Sequence, residues 1–309
     1  MKGLRSLALS IALVGSVACV AHRGPEGPVQ ALPFADDSWD DGMALVSTYS
    51  GRVQRYGIWR EATVRDYLVR EYLDPVSFTK RDNPKGGEVA VLKANRLMEF
   101  STGSYDYRLM GSYLFDRAEE TLVHGKGVCL NACGIVVQFW DRRSQRLQSD
   151  SYWEGEGRAS APLSAGEWHF ADALPFVAPR LANGSEIRVL APLVAPRSIL
   201  VPEGAVGEAA GVGFGDLCAA CARPGDVGYA FANDPRTTVP GRTLRVARRG
   251  PVTELLGEDG VAVATFRVDA DGHLESWTVA GEQEFRRARQ FRGPYWQMTE
   301  PSDRRRVKP

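Results

Sequence analysis

Apolar and polar residues alternate along much of the chain. Tyr105, Tyr107, Leu109, Tyr113 and Phe115 alternate with Asp106, Arg108, Met110, Ser112 and Leu114. That is the period of a strand, whose side chains point to opposite faces by turns. Ile135, Val137 and Phe139 repeat the pattern ahead of a polar turn at Asp141 to Ser144. Phe266 and Val268 run into Asp269-Ala270-Asp271-Gly272, and Leu274, Ser276 and Thr278 follow. An Asp-Gly pair between two such runs predicts a hairpin. Met43 to Tyr49, Val89 to Phe100, Glu186 to Leu190, Thr243 to Val246 and Gln283 to Phe291 are further strand candidates. Val64, Leu68 and Tyr72 recur every four residues and fit a helix as well as one face of a strand.

Closely spaced strands with few helices predict a mainly β protein: one large antiparallel sheet, curved into a partly closed barrel or folded like a sandwich, with few short helices. Clean alternation implies that one sheet face is wet or lines a cavity. Residues 157–184, rich in Ala, Pro and Gly, read as a long irregular connection. Residues 203–226 hold six glycines. Their Gly211-Val212-Gly213-Phe214-Gly215 lacks the following Lys-Ser/Thr of a phosphate loop.

The N-terminus has a different character. Lys2 and Arg5 precede an apolar run from Leu7 to Val17 that closes on Ser16-Val17-Ala18-Cys19. A basic start, a short apolar stretch and a small-residue cut mark an export signal rather than a permanent membrane span. A cysteine directly after the cut resembles the acceptor of bacterial lipoproteins, so Cys19 is the expected lipidation site. Ser16 and Ala18 also suit ordinary signal peptidase, which would release a soluble periplasmic or secreted protein. Val20, which is not Asp, resembles lipoproteins sorted to the outer membrane, facing the periplasm. The expected organisation is a signal over 1–18, a Gly/Pro-rich tether over 19–35, one β-rich domain over 36–300 and a basic tail over 301–309. On this reading the membrane is a partner through the lipid alone.

Four cysteines remain after Cys19. In an oxidising envelope Cys129, Cys133, Cys218 and Cys221 are expected to form two disulfides, in any of three connectivities. A four-thiolate zinc site and a redox-active Cys218/Cys221 pair are the sharper alternatives; neither a metal nor another cofactor is expected. Charge adds little. The chain holds 38 basic and 38 acidic side chains, and no basic stripe accompanies a nucleic-acid fold signature.

Catalytic chemistry is sparse. The four histidines, His22, His124, His169 and His273, lack both a serine or cysteine nucleophile motif and metal-ligand spacing. Glu154 and Glu156 would lie about 7 Å apart on one strand face, a spacing compatible with glycosidic acid–base work, although paired strand carboxylates are more often solvated. Six strings then come in a fixed order: Trp39-Asp40-Asp41-Gly42-Met43-Ala44, Arg55-Tyr56-Gly57, Val91-Leu92-Lys93-Ala94-Asn95, Thr102-Gly103-Ser104-Tyr105-Asp106-Tyr107-Arg108, Ser151-Tyr152-Trp153-Glu154-Gly155-Glu156 and Pro294-Tyr295-Trp296-Gln297. Together they resemble a family of uncharacterised bacterial exported proteins, often lipoproteins, some labelled "septum formation inhibitor Maf". The nucleotide pyrophosphatases behind that label are cytosolic α/β proteins with an early Ser-Pro-Arg-Arg loop, which this chain lacks.

The expectation is a non-catalytic envelope lipoprotein that binds or carries a hydrophobic or amphipathic ligand, or an envelope partner. Tyr56, Tyr105, Tyr107, Arg108 and Trp153 are its candidate ligand-binding residues. The alternatives are an envelope hydrolase using Glu154, Glu156 or His169, and a structural assembly lipoprotein.

Overall fold

The computed structural model describes residues 31–131, 134–152, 157–194, 199–200 and 241–297. Among them, fifteen strands form a single sheet. In chain order these are β1 (Ala44–Arg55), β2 (Ile58–Leu73), β3 (Val89–Ser101), β4 (Asp106–Asp116), β5 (Leu122–Asn131), β6 (Gly134–Asp141), β7 (Arg146–Ser151) and β8 (Arg158–Pro162). They continue as β9 (Trp168–Phe170), β10 (Glu186–Leu190), β11 (Gly241–Arg249), β12 (Val252–Leu256), β13 (Ala262–Val268), β14 (Leu274–Val279) and β15 (Gln283–Gly293). The short helix α1 (Leu174–Val177) lies between β9 and β10, flanked by 3-10 turns. The protein is therefore mainly β with one large sheet, as the alternation predicts.

The strands β1 to β8 form one up-and-down meander and β10 to β15 another, joined where β1 pairs with β15. Every pair is antiparallel except β9 with β10. The sheet curls on itself without closing: β8 and β9 are its two edges. Tryptophans bridge the seam. Trp140 Nε1 donates to the Leu163 carbonyl at 2.8 Å and Trp168 Nε1 to the Ser164 carbonyl at 2.9 Å. Their rings meet edge to face at 4.8 Å, a favoured aromatic geometry.

One local expectation changes and two open points are settled. Val64 and Leu68 sit on β2, a sixteen-residue strand paired on both sides, with both side chains buried. Its β-branched and aromatic residues fit a pleated sheet better than a helix. Ile135, Val137 and Phe139 line the outer face of β6, while Val136, Gln138 and Trp140 are buried inside. Residues 157–184 are not one irregular connection, since they contribute β8, β9 and α1; β8 and β9 are too short for their period to stand out.

The lumen is filled. Phe176, Leu193, Val194 and Ile199 belong to the main core cluster together with the inner sheet face. Gln138 pins this filling at both ends of its amide, donating to the Leu193 carbonyl at 2.9 Å and accepting from the Ile199 amide at 2.8 Å. Gly127 makes room for it: a Cβ there would lie 2.2 Å from the Leu193 carbonyl oxygen. Residues 31–41 close one end, with Ala31, Phe34 and Trp39 buried. The packed domain thus starts no later than Ala31, inside the segment expected to be tether. A cavity beside Tyr113 and another beneath Trp39 are each about 30 Å³, room for a water or two.

Candidate functional site: a tyrosine–arginine cluster at one end of the barrel

The β1–β2 hairpin turns on two residues, Tyr56 and Gly57, with Arg55 paired to Ile58. Both central residues have positive φ, 56° and 71°, as a type I′ turn requires. Glycine accepts that region freely; a tyrosine there carries strain of about 1–3 kcal/mol. The turn does not need Tyr56. Its side chain explains its presence better.

The β3–β4 hairpin supplies the other half. Phe100 pairs with Tyr107 and Ser101 with Asp106, and the turn closes through the Thr102 amide on the Tyr105 carbonyl at 3.1 Å. Residues 58–61 of β2 run past its last pair with β3, Ala62 to Phe100. That overhang folds the first hairpin across the second. The Tyr56 hydroxyl lies 3.1 Å from that of Tyr105 and 3.0 Å from that of Tyr107. Arg55, buried beneath, donates to the Tyr107 oxygen at 2.6 Å and to the Tyr56 oxygen at 3.0 Å. Its guanidinium covers both rings, at 4.1 and 4.9 Å from their centroids. Phe100 stacks on Tyr107 at 4.8 Å. Burial, then the hydroxyls of Tyr56 and Tyr105, raise the Tyr107 pKa, against the pull of Arg55. The phenol therefore stays neutral. Three hydroxyls and one fixed cation converge where Tyr56 remains 43% exposed, a geometry suited to holding a polar or aromatic group rather than moving protons.

Tyr56, Tyr105 and Tyr107 are thus brought together. Arg108 is not: it points outward and faces Glu99 at 3.9 Å. Trp153, Glu154 and Glu156 lie outside the described residues, as do Cys19, Cys133, Cys218 and Cys221. Cys129, the described cysteine, is a free, buried thiol, and the cysteines expected to bridge with it are among those outside the described residues. It sits on β5 with its side chain in the core. Burial pushes its pKa up to about 12, although Arg55 pulls the other way. Arg55 and Phe100, present in the sequence reading only in a matching string and at a strand end, were not among its candidate binding residues. A Tyr-Gly pair between two alternating runs, at a turn favouring Asn-Gly, was the signal that could have exposed them.

A second polar constellation lies in the core. Arg96 on β3 makes a bidentate pair with Asp66 on β2 at 2.8 and 2.6 Å, between the rings of Phe176 and Trp277 at 4.7 and 4.5 Å. Burial works against the Arg96 charge, but the attraction and hydrogen bonds of Asp66 more than offset it. The pair ties β2 and β3 to β14 across the lumen. Asp269, Asp271 and His273 cluster within 4.8 Å in the β13–β14 turn. There Asp269 accepts from the amides of Asp271 and His273 and pairs with Arg287 at 2.5 Å; a turn of this sequence needs those bonds for itself.

No family model matches the chain, and no curated protein matches it. Among solved structures the chain is similar to a protein of unknown function. That is the crystal structure of a beta-barrel-like protein of domain of unknown function DUF1849 from Brucella abortus, at 8% identity and a TM-score of 0.37. The match covers 81% of this chain and 97% of that one; at this TM-score it carries no further argument.

Proposed function

We propose that the chain is a lipid-anchored bacterial envelope protein, held through Cys19 at the outer membrane, that binds rather than catalyses. Its ligand or envelope partner contacts the Tyr56–Tyr105–Tyr107 cluster. One observation carries the reading: a tyrosine occupies a left-handed turn position that Asn or Gly would fill without strain, and its hydroxyl joins two other tyrosines and an arginine at a solvent-facing edge. Local strain retained at one residue is a mark of function. Cavities of about 30 Å³ favour this rim over the lumen as the contact surface. The anchoring reading draws on the sequence of residues 1–19; no helix among the described residues is long and apolar enough to cross a membrane.

The test is Tyr56→Asn. Relief of turn strain against loss of the hydroxyl contacts should leave stability within about 1 kcal/mol of the parent. Native mass spectrometry of the periplasm-exported Cys19→Ser protein should show a retained mass that Tyr56→Asn loses. A bare parent would remove the small-ligand form of this reading. Labelled palmitate should enter the parent and not Cys19→Ala; equal labelling would remove the anchor.

A further inference from the structure

The two ends of the barrel differ. Tyr56 and Ile58 flank the β1–β2 turn, Leu130 and Ile135 face each other across β5 and β6, Tyr152 follows β7, and Val261 ends the β12–β13 turn. Strand direction puts all six at the same end as the tyrosine cluster. Each is 43–71% exposed, and they are six of the nine exposed large hydrophobic residues among the described residues. The chain enters at the other end. The Leu32 amide bonds the Gly272 carbonyl in the β13–β14 turn, and the Phe34 amide bonds Glu120 in the β4–β5 turn.

We infer that the apolar rim docks an envelope protein lying away from the anchoring membrane, through an apolar patch on that partner. The inference rests on the anchored binding reading above. Cys19 and Ala31 are 12 residue steps apart, a reach of about 40 Å at full extension. The sixteen residues of β2 run about 53 Å, or about 40 Å of height at ordinary barrel tilt. The rim could therefore meet its own membrane only with the tether drawn to full extension, a state chain entropy opposes. Charge agrees: the exposed Arg108 and Arg158 are engaged by Glu99 and Asp150, where an anionic lipid surface would ask for a basic cluster. Aliphatic Ile58, Leu130, Ile135 and Val261 around tyrosines suit a protein surface, with the 43% exposed Tyr56 as the aromatic anchor such interfaces favour.

The experiment places a benzophenone side chain at position 152 or at position 76 of the full-length chain, in the cells that make it. Val76 is 79% exposed, in the β2–β3 connection at the opposite end. Irradiation should give one discrete protein adduct from position 152 and none from position 76. The adduct partner, once purified, should bind the parent chain and lose at least about tenfold in affinity to Ile135→Glu and to Leu130→Glu, about 1.4 kcal/mol. Both sites are exposed, so unchanged melting temperatures keep the comparison clean, and Ile58→Glu provides a third site. An adduct to a second copy of this chain, to lipid alone, equally from both positions, or none at all would overturn the inference. Loss of the small-ligand reading would leave the protein adduct standing, and failure of the adduct would leave the mass spectrum unchanged.

Discussion

At the scale of single residues, burial settles ionisation more than neighbours do. His169 on β9 has its pKa lowered to about 4 from 6.5 by desolvation alone. A base whose folded pKa is depressed adds stability that is complete above pH 6.5 and is lost as pH falls towards 4, because the unfolded chain takes up the proton first. The shift corresponds to roughly 3 kcal/mol. Urea unfolding at several pH values should show that acid loss in the parent and less of it in His169→Gln. Equal slopes would mean that the ring is solvated. The ring, partly exposed on the face of β9 opposite Trp168 and Phe170, is neutral at pH 7, which leaves it little to contribute as the acid of a hydrolase. Cys129 follows the same logic: its thiol, pushed up to about 12, offers almost no thiolate to an electrophile. Mass mapping after iodoacetamide should find Cys129 unmodified in the native protein and alkylated in urea. A Cys129 disulfide in that map would contradict the free thiol described above.

At the scale of elements, the Asp66–Arg96 pair holds β2 and β3 against Trp277 of β14 and Phe176 of the filling. Asp66→Asn leaves a buried guanidinium without its counter-charge between Phe176 and Trp277 and should destabilise by about 3–5 kcal/mol in chemical denaturation. Replacing both partners by apolar residues, Asp66→Leu with Arg96→Met, should recover most of that. A double variant as weak as the single one would place the effect outside the pair. Neither residue was legible in the sequence, because both occupy inward positions of strands whose alternation alone would assign them apolar side chains. The strands themselves were legible where buried and exposed side chains alternated over many positions, as in β3 and β4. Alternation also put Tyr107 and Arg108 on opposite faces of β4. It could not show that Arg55, on another hairpin, would reach across to Tyr107, because that contact depends on the overhang of β2 beyond β3.

At the scale of the whole molecule, one sheet wraps a filling drawn from its own chain. Phe176, Leu193, Val194 and Ile199 fill the lumen among the described residues, pinned by Gln138 and admitted by Gly127. A long alternating sheet predicts an interior but not what fills it. The filling sequence carries no period, being held by side-chain bonds to backbone rather than by a ladder. An interior packed in this way leaves the ends of the barrel, where hairpin turns bring residues from distant strands together, as the surface for the binding proposed above.

The entry segment has a mechanical consequence. Arg117 donates to the carbonyls of Phe34 and Asp36 at 3.0 Å and to Asp40 at 2.6 Å, Arg180 donates to the Leu32 carbonyl at 2.8 Å, and Arg292 grips Asp41. Tension arriving along the residues before Ala31 therefore reaches this arginine-buckled clasp before it reaches β1. The clasp can slip bond by bond, a fuse that spares the interstrand ladder behind it.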